Sequence, residues 1–222
     1  MKLLAIDTAF EACSVAVEPG TGADPVVRSE TIGRGHAERL PSMMAEAMKE
    51  AGLSFTALDR IAVTIGPGSF TGLRVGIAAA RGLALVVKCP VVGITTLAVH
   101  AASARRLAGP VPVLAVIDAR RSELYGQRFA SDGVPFSEPE AADPARFASL
   151  FRPGDVLAGT GSDAVAALLP EMPVIAHRHA APDISALLAL ALEAPASDSP
   201  PGPLYLRPPD AKPQQGKGVA RL

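Results

Sequence analysis

Leu3-Leu4-Ala5-Ile6-Asp7 is matched half a chain later by Leu114-Ala115-Val116-Ile117-Asp118. Each is a short apolar run that stops at a carboxylate, as a buried strand does when it reaches a turn. A second strand-like run follows each, over residues 13–18 in the first case and 123–129 in the second. Alternating helical and strand patterns then follow both. The echo predicts an α/β protein of two units with the same topology, each a mixed sheet flanked by helices. Any α/β chain yields some echo of this kind, so the duplication is a reading of topology with faint sequence support.

The pattern extends in both directions from these runs. Pro19-Gly20-Thr21-Gly22 is a turn signal, and residues 26–32 form a third strand of an antiparallel meander, with Arg28 and Glu30 facing water. Leu40, Met43, Met44, Ala47, Met48 and Ala51 recur at helical spacing and Gly52 stops the helix. Residues 61–65 read as a β-branched strand, 71–87 as a second helix and 90–94 as a further strand. Thr95 is placed to cap a third helix running to about residue 106. In the second half, residues 155–158 and 174–176 read as strands, and 162–169 and 183–193 as helices. These elements predict a first lobe over 1–108, a smaller second lobe over 109–207, and a Pro/Lys/Gln-rich tail without regular order over 208–222.

Composition limits the function. At 222 residues, folding buries on the order of 70% of the unfolded surface, enough for a core without staples. Two cysteines, Cys13 and Cys89, are too few for a disulfide scaffold or a cysteine metal site. A net charge of −1 excludes the basic balance of a dedicated nucleic-acid binder. With no Trp and 4% aromatics, base-stacking platforms have no support. No run reaches the ~18 uninterrupted apolar residues that a membrane span needs. The start of the chain has too short an apolar run for a signal peptide, which predicts a cytoplasmic protein.

Gly66-Pro67-Gly68-Ser69-Phe70-Thr71-Gly72-Leu73-Arg74 is the most distinctive stretch. It follows a strand and opens a helix, where glycines permit close backbone approach and Ser69 or Thr71 can cap. A helix start also offers unpaired N–H groups to an anion. It lacks the lysine of a phosphate-binding P-loop, and any sharp strand-to-helix turn asks for such residues. Asp7 with Thr8, and Asp118, lie at the two strand ends. Such a pair can hold hydrated Mg²⁺ and a nucleotide across a cleft. Strand-end Asp residues also cap turns, and no glycine stands beside either of these, so capping is the favoured reading. His36 has Leu40 at i+4, and His100, His177 and His179 show no ligand spacing, so no metal site is expected. No serine has a nucleophile-elbow context. The Met-bearing face of the first helix and the small residues of the second, Gly72, Gly76, Ala78, Ala79, Ala80 and Gly82, suit either a helical partner interface or close packing within the chain.

Several blocks together resemble one family. These are residues 5–9 with 12–17, His36-Ala37-Glu38-Arg39-Leu40-Pro41, the glycine block through Gly76, Ile117-Asp118-Ala119-Arg120-Arg121-Ser122-Glu123-Leu124-Tyr125, and Pro203-Leu204-Tyr205-Leu206-Arg207. The chain resembles the TsaB (YeaZ) family over nearly its whole length. The resemblance implies two actin-like, ribonuclease H-like lobes of the sugar kinase/Hsp70/actin superfamily. It also implies a non-catalytic subunit, needed to form N6-threonylcarbamoyladenosine at position 37 of tRNAs that read codons beginning with A. The implied partners are a catalytic TsaD-type transferase, a TsaE-type P-loop ATPase and, when alone, a second copy, with tRNA met only through the complex. The implied contact is through the first two helices, with Leu40, Met43, Met44, Ala47, Met48, Leu73, Gly76 and Ala80 as candidate contact residues. No cofactor of its own is implied, with ATP or ADP placed at most at an interface shared with partners. The competing reading is a weak ATPase or small-molecule kinase using Asp7, Thr8 and Asp118.

Overall fold

The computed structural model describes residues 1–20, 22–195 and 199–207. The expected tail over 208–222 lies outside the described residues. The first half builds β1 (Leu3–Asp7), β2 (Ala12–Glu18), β3 (Val26–Thr31), α1 (His36–Glu50), β4 (Arg60–Gly66), α2 (Phe70–Val87), β5 (Val91–Thr95) and α3 (Thr96–Ala108). The second half builds β6 (Val113–Asp118), β7 (Leu124–Phe129), β8 (Glu140–Ala142), α4 (Pro144–Leu150), β9 (Val156–Ala158), α5 (Ser162–Ala166), β10 (Ile175–His177) and α6 (Ile184–Glu193).

The first sheet has the order β3-β2-β1-β4-β5 and the second β10-β9-β6-β7-β8. In each, the first three strands pair antiparallel and the last two add in parallel beside the first strand. Read from opposite ends, the two orders are the same topology. The echo of residues 3–7 in 114–118 therefore marks the central strand of each sheet. All five residues of β1 are buried, because helices cover both faces of the sheet and a central strand has no solvent side.

α1 and α2 cover one face of the first sheet, where Leu40, Met43, Ala47, Leu73 and Ile77 meet Leu4, Ile6, Val15 and Val63. The opposite face is covered by α6, whose Ile184, Ala186, Leu187 and Ala191 join Leu3, Ala5, Ala16 and Ala62. The last helix thus packs on the sheet formed first. Arg60 on β4 reinforces the return by donating to the carbonyls of Ala191 and Ala194 at 2.6 and 2.7 Å, satisfying the open end of α6. α3 lies between the sheets: Leu97, Ala101 and Ala104 pack with Val113, Ala115 and Ile117 of β6. α4 and α5 cover the outer face of the second sheet around Phe147.

The segment 203–207 ties the two units together. Leu204 N–H donates to the Ile65 carbonyl at 2.7 Å, Leu206 packs into the α3 cluster, and Arg207 pairs with Glu123 and donates to the Ala119 carbonyl.

Three local expectations need correction. Arg28 and Glu30 face α1 rather than open water: Arg28 meets Glu50 at 2.5 Å and Arg39 grips Glu30 and Glu46. Val27, Ser29 and Thr31 take the exposed side, because β3 is an edge strand and its inner side chains find counter-charges on the helix. The helix expected over 162–169 ends at Ala166. β8 and α4 were not foreseen, although Asp143 and Pro144 are a standard helix opening and Asp143 does cap, accepting from Arg146 N–H at 2.8 Å.

Candidate functional site

The glycine block is a joint between backbones. After β4, Gly66 adopts φ +108° and the chain turns toward α2. Ser69 caps α2, its hydroxyl accepting from Gly72 N–H at 3.3 Å, while its own N–H donates to the Ala9 carbonyl at 2.7 Å. Thr8 Oγ1 donates to the Gly72 carbonyl at 2.7 Å. A Cβ on Gly68 would stand 2.7 Å from the Ala9 carbonyl oxygen, on Gly72 2.1 Å from that of Thr8, and on Gly76 2.5 Å from Thr8 Oγ1. Three glycines therefore let the start of α2 lie against the turn after β1, and this packing seals the strand end that carries Asp7.

Asp7 is fully buried. Its Oδ1 accepts from Thr64 Oγ1 at 2.6 Å and from Ala9 N–H at 3.2 Å, and its Oδ2 has no partner among the described residues. Burial pushes its pKa up to about 6 against the pull of those hydrogen bonds and of His36. Asp118 is exposed. Its Oδ1 accepts from Arg120 N–H at 2.7 Å, and its own N–H donates to Thr160 Oγ1. Arg120, Arg121 and Ser122 all take φ near +60° in the turn that follows. The two carboxylates thus stand in opposite environments, one sealed and one in solvent.

The sealed carboxylate carries a stability prediction. A raised folded pKa means that Asp7 favours folding when protonated. That contribution is full below the unfolded value of 3.8 and is lost as pH rises through about 6. At pH 8 the ionised group costs ~3 kcal/mol. Asp7→Asn keeps the Oδ1 acceptor and removes the charge. Denaturant unfolding at pH 4 and pH 8 should show the variant gaining on the wild type as pH rises. A gap that stays constant with pH would mean that Asp7 does not titrate in this range.

The candidate contact residues fall on the inward face. Leu40, Met43, Met44, Ala47, Met48, Leu73 and Ala80 are at most 8% exposed and belong to the chain's own core, and Gly76 is pressed on Thr8. The surface that α1 and α2 turn outward is therefore made by other residues. The outward face of α2 is different and also apolar. Phe70 is 48%, Leu85 82% and Val86 76% exposed. Ala78 and Gly82 lie between them, with open space where a Gly82 Cβ would be. α2 is long and apolar enough to cross a membrane by length and composition. Its apolarity is divided between this outer stripe and the stripe buried on the sheet, with Arg74 and Arg81 standing in the outer one.

A family model described as tRNA N6-adenosine threonylcarbamoyltransferase (TsaD) matches residues 25–185. The tRNA threonylcarbamoyladenosine biosynthesis protein TsaB of Escherichia coli is 42% identical over 134 residues, 60% of this chain and 56% of that protein. An uncharacterised Mycobacterium bovis protein is 36% identical over 95% of this chain and 94% of its own length. A solved structure extends the match: YeaZ from Pseudomonas aeruginosa superposes with a TM-score of 0.78 at 34% identity, covering 92% of this chain and 99% of that one.

The chain belongs to the TsaB (YeaZ) family.

It spans about half the length of the E. coli family member. The fold is shared more widely, since the activator of 2-hydroxyisocaproyl-CoA dehydratase from Clostridium difficile superposes with a TM-score of 0.51 at 12% identity. That likeness is one of fold alone, two mixed sheets flanked by helices. Among the described residues no group of three or more His, Cys, Asp or Glu is arranged to hold a metal ion. The sequence reading missed one cluster. His100 on α3 lies 5.2 Å, ring to ring, from His177 on β10, which lies 5.4 Å from His179. Spacing in sequence gave no sign of it, because His100 on α3 and His177 on β10 lie far apart in the chain and meet only through packing.

Proposed function

We propose that the chain is a non-catalytic subunit of the machinery that forms N6-threonylcarbamoyladenosine on tRNA. It acts by docking on the catalytic TsaD-type transferase, with a TsaE-type P-loop ATPase joining and tRNA met only through the complex. The observation that carries this reading is the outer face of α2: an exposed apolar stripe on a helix whose other face is already spent on the chain's own core. Clustered exposed apolar residues mark interaction sites, and the names of the E. coli relative and of the matching family model supply the pathway. The sealing of Asp7 by Gly68, Gly72 and Gly76 supports a subunit with no nucleotide chemistry of its own, because a phosphate could reach that carboxylate only by displacing the start of α2.

Reconstitution tests the reading. tRNA, threonylcarbamoyl-adenylate, the transferase and the ATPase with ATP are combined, and modified adenosine is counted with and without this chain. Modification should require the chain, survive Asp7→Asn and fail with Gly82→Trp, which places bulk on the exposed face without touching the core. Modification that proceeds without the chain would end the subunit reading. An Asp7→Asn variant that folds and assembles but is inactive would favour the nucleotide-hydrolysing alternative.

A further inference from the structure

Two stretches that stand out in the sequence, residues 117–125 and 203–207, have no part in the docking role. In the structure they meet. Residues 203–207 run as a strap from the first unit to the second, and the last four are anchored one by one. Leu204 sits at the carboxyl end of β4, its N–H on the Ile65 carbonyl at 2.7 Å. A Cβ on Gly66 would stand 3.0 Å from the Leu204 carbonyl oxygen. Tyr205 lies on the start of α2: its ring stacks on Phe70 at 5.5 Å, and its Oη accepts from Arg74 Nε at 3.0 Å. The Arg74 guanidinium carbon lies 3.7 Å from the centre of the Phe70 ring and closes this three-residue cluster. Leu206 packs into the cluster of Leu97, Ala101 and Ile117 between the units. Arg207 reaches the turn after β6, donates to the Ala119 carbonyl at 3.3 Å and pairs with Glu123.

That turn is strained. Ala119 N–H donates to the Glu123 carbonyl at 3.0 Å and closes it. Inside it Arg120, Arg121 and Ser122 have φ of 61°, 57° and 62°. None of the three is glycine, and an L-residue gains by leaving this region. Such a loop persists only where its surroundings over-determine it. Arg207 is one such restraint and acts at both ends at once, since Ala119 and Glu123 are the two residues that bracket the loop.

We propose that the strap is a conformational coupling between the two units, with the turn over residues 119–123 as its two-state element. With Arg207 seated, the turn keeps its left-handed form and Tyr205 is held on α2. With Arg207 released, the turn relaxes, and the strap loses the anchor that keeps Tyr205 against Phe70 and Arg74. Only Leu206 separates the two ends, and the core between the units holds it as a fulcrum. The ends differ in character. Leu204 is held through the main chain and Leu206 by apolar packing, whereas the Arg207–Glu123 pair is 22% and 44% exposed. Exposed ion pairs are weak, so release begins at Arg207. Coupling of this kind needs an element with two arrangements that both sites bias, and the strained turn supplies it. The device stands whether or not the chain docks on the transferase.

Hydrogen exchange read by mass spectrometry on the full chain tests it. Arg207→Ala should speed exchange over residues 119–124 by about tenfold and, at a distance, over residues 70–76 by about fivefold, the low end of coupling between sites. Tyr205→Ala should conversely speed exchange over residues 119–124 by about fivefold, because coupling is reciprocal. Arg146→Ala removes another partly exposed ion pair of the second unit, with Glu140, and should leave both segments at wild-type rates. Glu123→Gln breaks the Arg207 pair at constant size and takes the place of Arg207→Ala if that variant does not fold. Faster exchange over 119–124 with residues 70–76 within about twofold of the wild type would make the strap a local anchor and overturn the proposal. Unchanged exchange in both segments would overturn it too. So would faster exchange throughout both sheets, which would mean that Arg207 supports the fold as a whole.

Discussion

Gly72→Ala should cost the protein about 3 kcal/mol, whereas Gly82→Ala on the same helix should add about 1 kcal/mol. Intrinsic helix propensity favours alanine at both positions equally. The difference lies in what each Cβ would meet. At Gly72 it would stand 2.1 Å from the Thr8 carbonyl oxygen, a backbone atom one residue past the end of β1 and unable to yield as a flexible side chain would. At Gly82 nothing lies within 4 Å. For a chain of this size each kcal/mol moves the melting temperature by roughly 2–4 °C. The two variants should therefore melt on opposite sides of the wild type, roughly 8–16 °C apart. The same geometry means that a bulky residue at Gly76 unfolds the first unit before it tests any interface, so Gly82 is the proper place for a blocking substitution. Equal melting temperatures for the two alanine variants would show that α2 can lift from the turn after β1 without loss.

His100→Leu should protect the protein against acid. The ring is fully buried between Phe10 and His177, and neither nitrogen has a partner among the described residues. Burial, assisted by the neighbouring His177, pushes its pKa down to about 3 from 6.5. His177 is itself lowered by burial and by His179, with Asp183 opposing. The unfolded chain therefore takes up the proton first. The contribution of a neutral His100 is full above 6.5 and is lost as pH falls toward 3, at about 1.4 kcal/mol per pH unit. Wild type and His100→Leu compared by urea unfolding at pH 7.5 and pH 5 should show the variant gaining ~2 kcal/mol on the wild type over that interval. An unchanged difference between the two pH values would sink the assignment. Because α3 lies between the two sheets and β10 is an edge strand of the second, the loss should appear first as weakened packing of α3 on the second sheet.

The central strands, the meanders and the three long helices were legible because each repeats an apolar period over many residues. Ser69, Thr95 and Asp183 cap where small polar residues precede such periods. The start of α4 was signalled by Asp143-Pro144, but the helix has only seven residues and too short a period to register. β8, with three residues, owes its form to its neighbour β7. Which face of α2 lies inward is not legible in the pattern, for a physical reason. α2 is apolar on both sides, Leu73 and Ile77 inward and Phe70, Leu85 and Val86 outward, and periodicity alone does not say which stripe meets the chain's own sheet. Gly72 and Gly76 were legible as close-packing positions, but whether they pack on a partner or on Thr8 is settled only by tertiary structure. The sealing of Asp7 follows from that same contact.

The return of α6 to the first sheet sets the order in which this protein can be completed during its synthesis. Leu3, Ala5, Ala16 and Ala62 present an apolar face whose cover includes Ile184, Leu187 and Ala191. A nascent chain that has just finished α3 must still emit the whole second sheet before that cover emerges, an interval on the order of ten seconds at ribosomal speed. Throughout it that face has only the partial cover of Val99 and Ala102 from α3, leaving a surface that a chaperone can hold. Translation pauses placed within the second sheet would lengthen that exposure, and pauses after α6 would not.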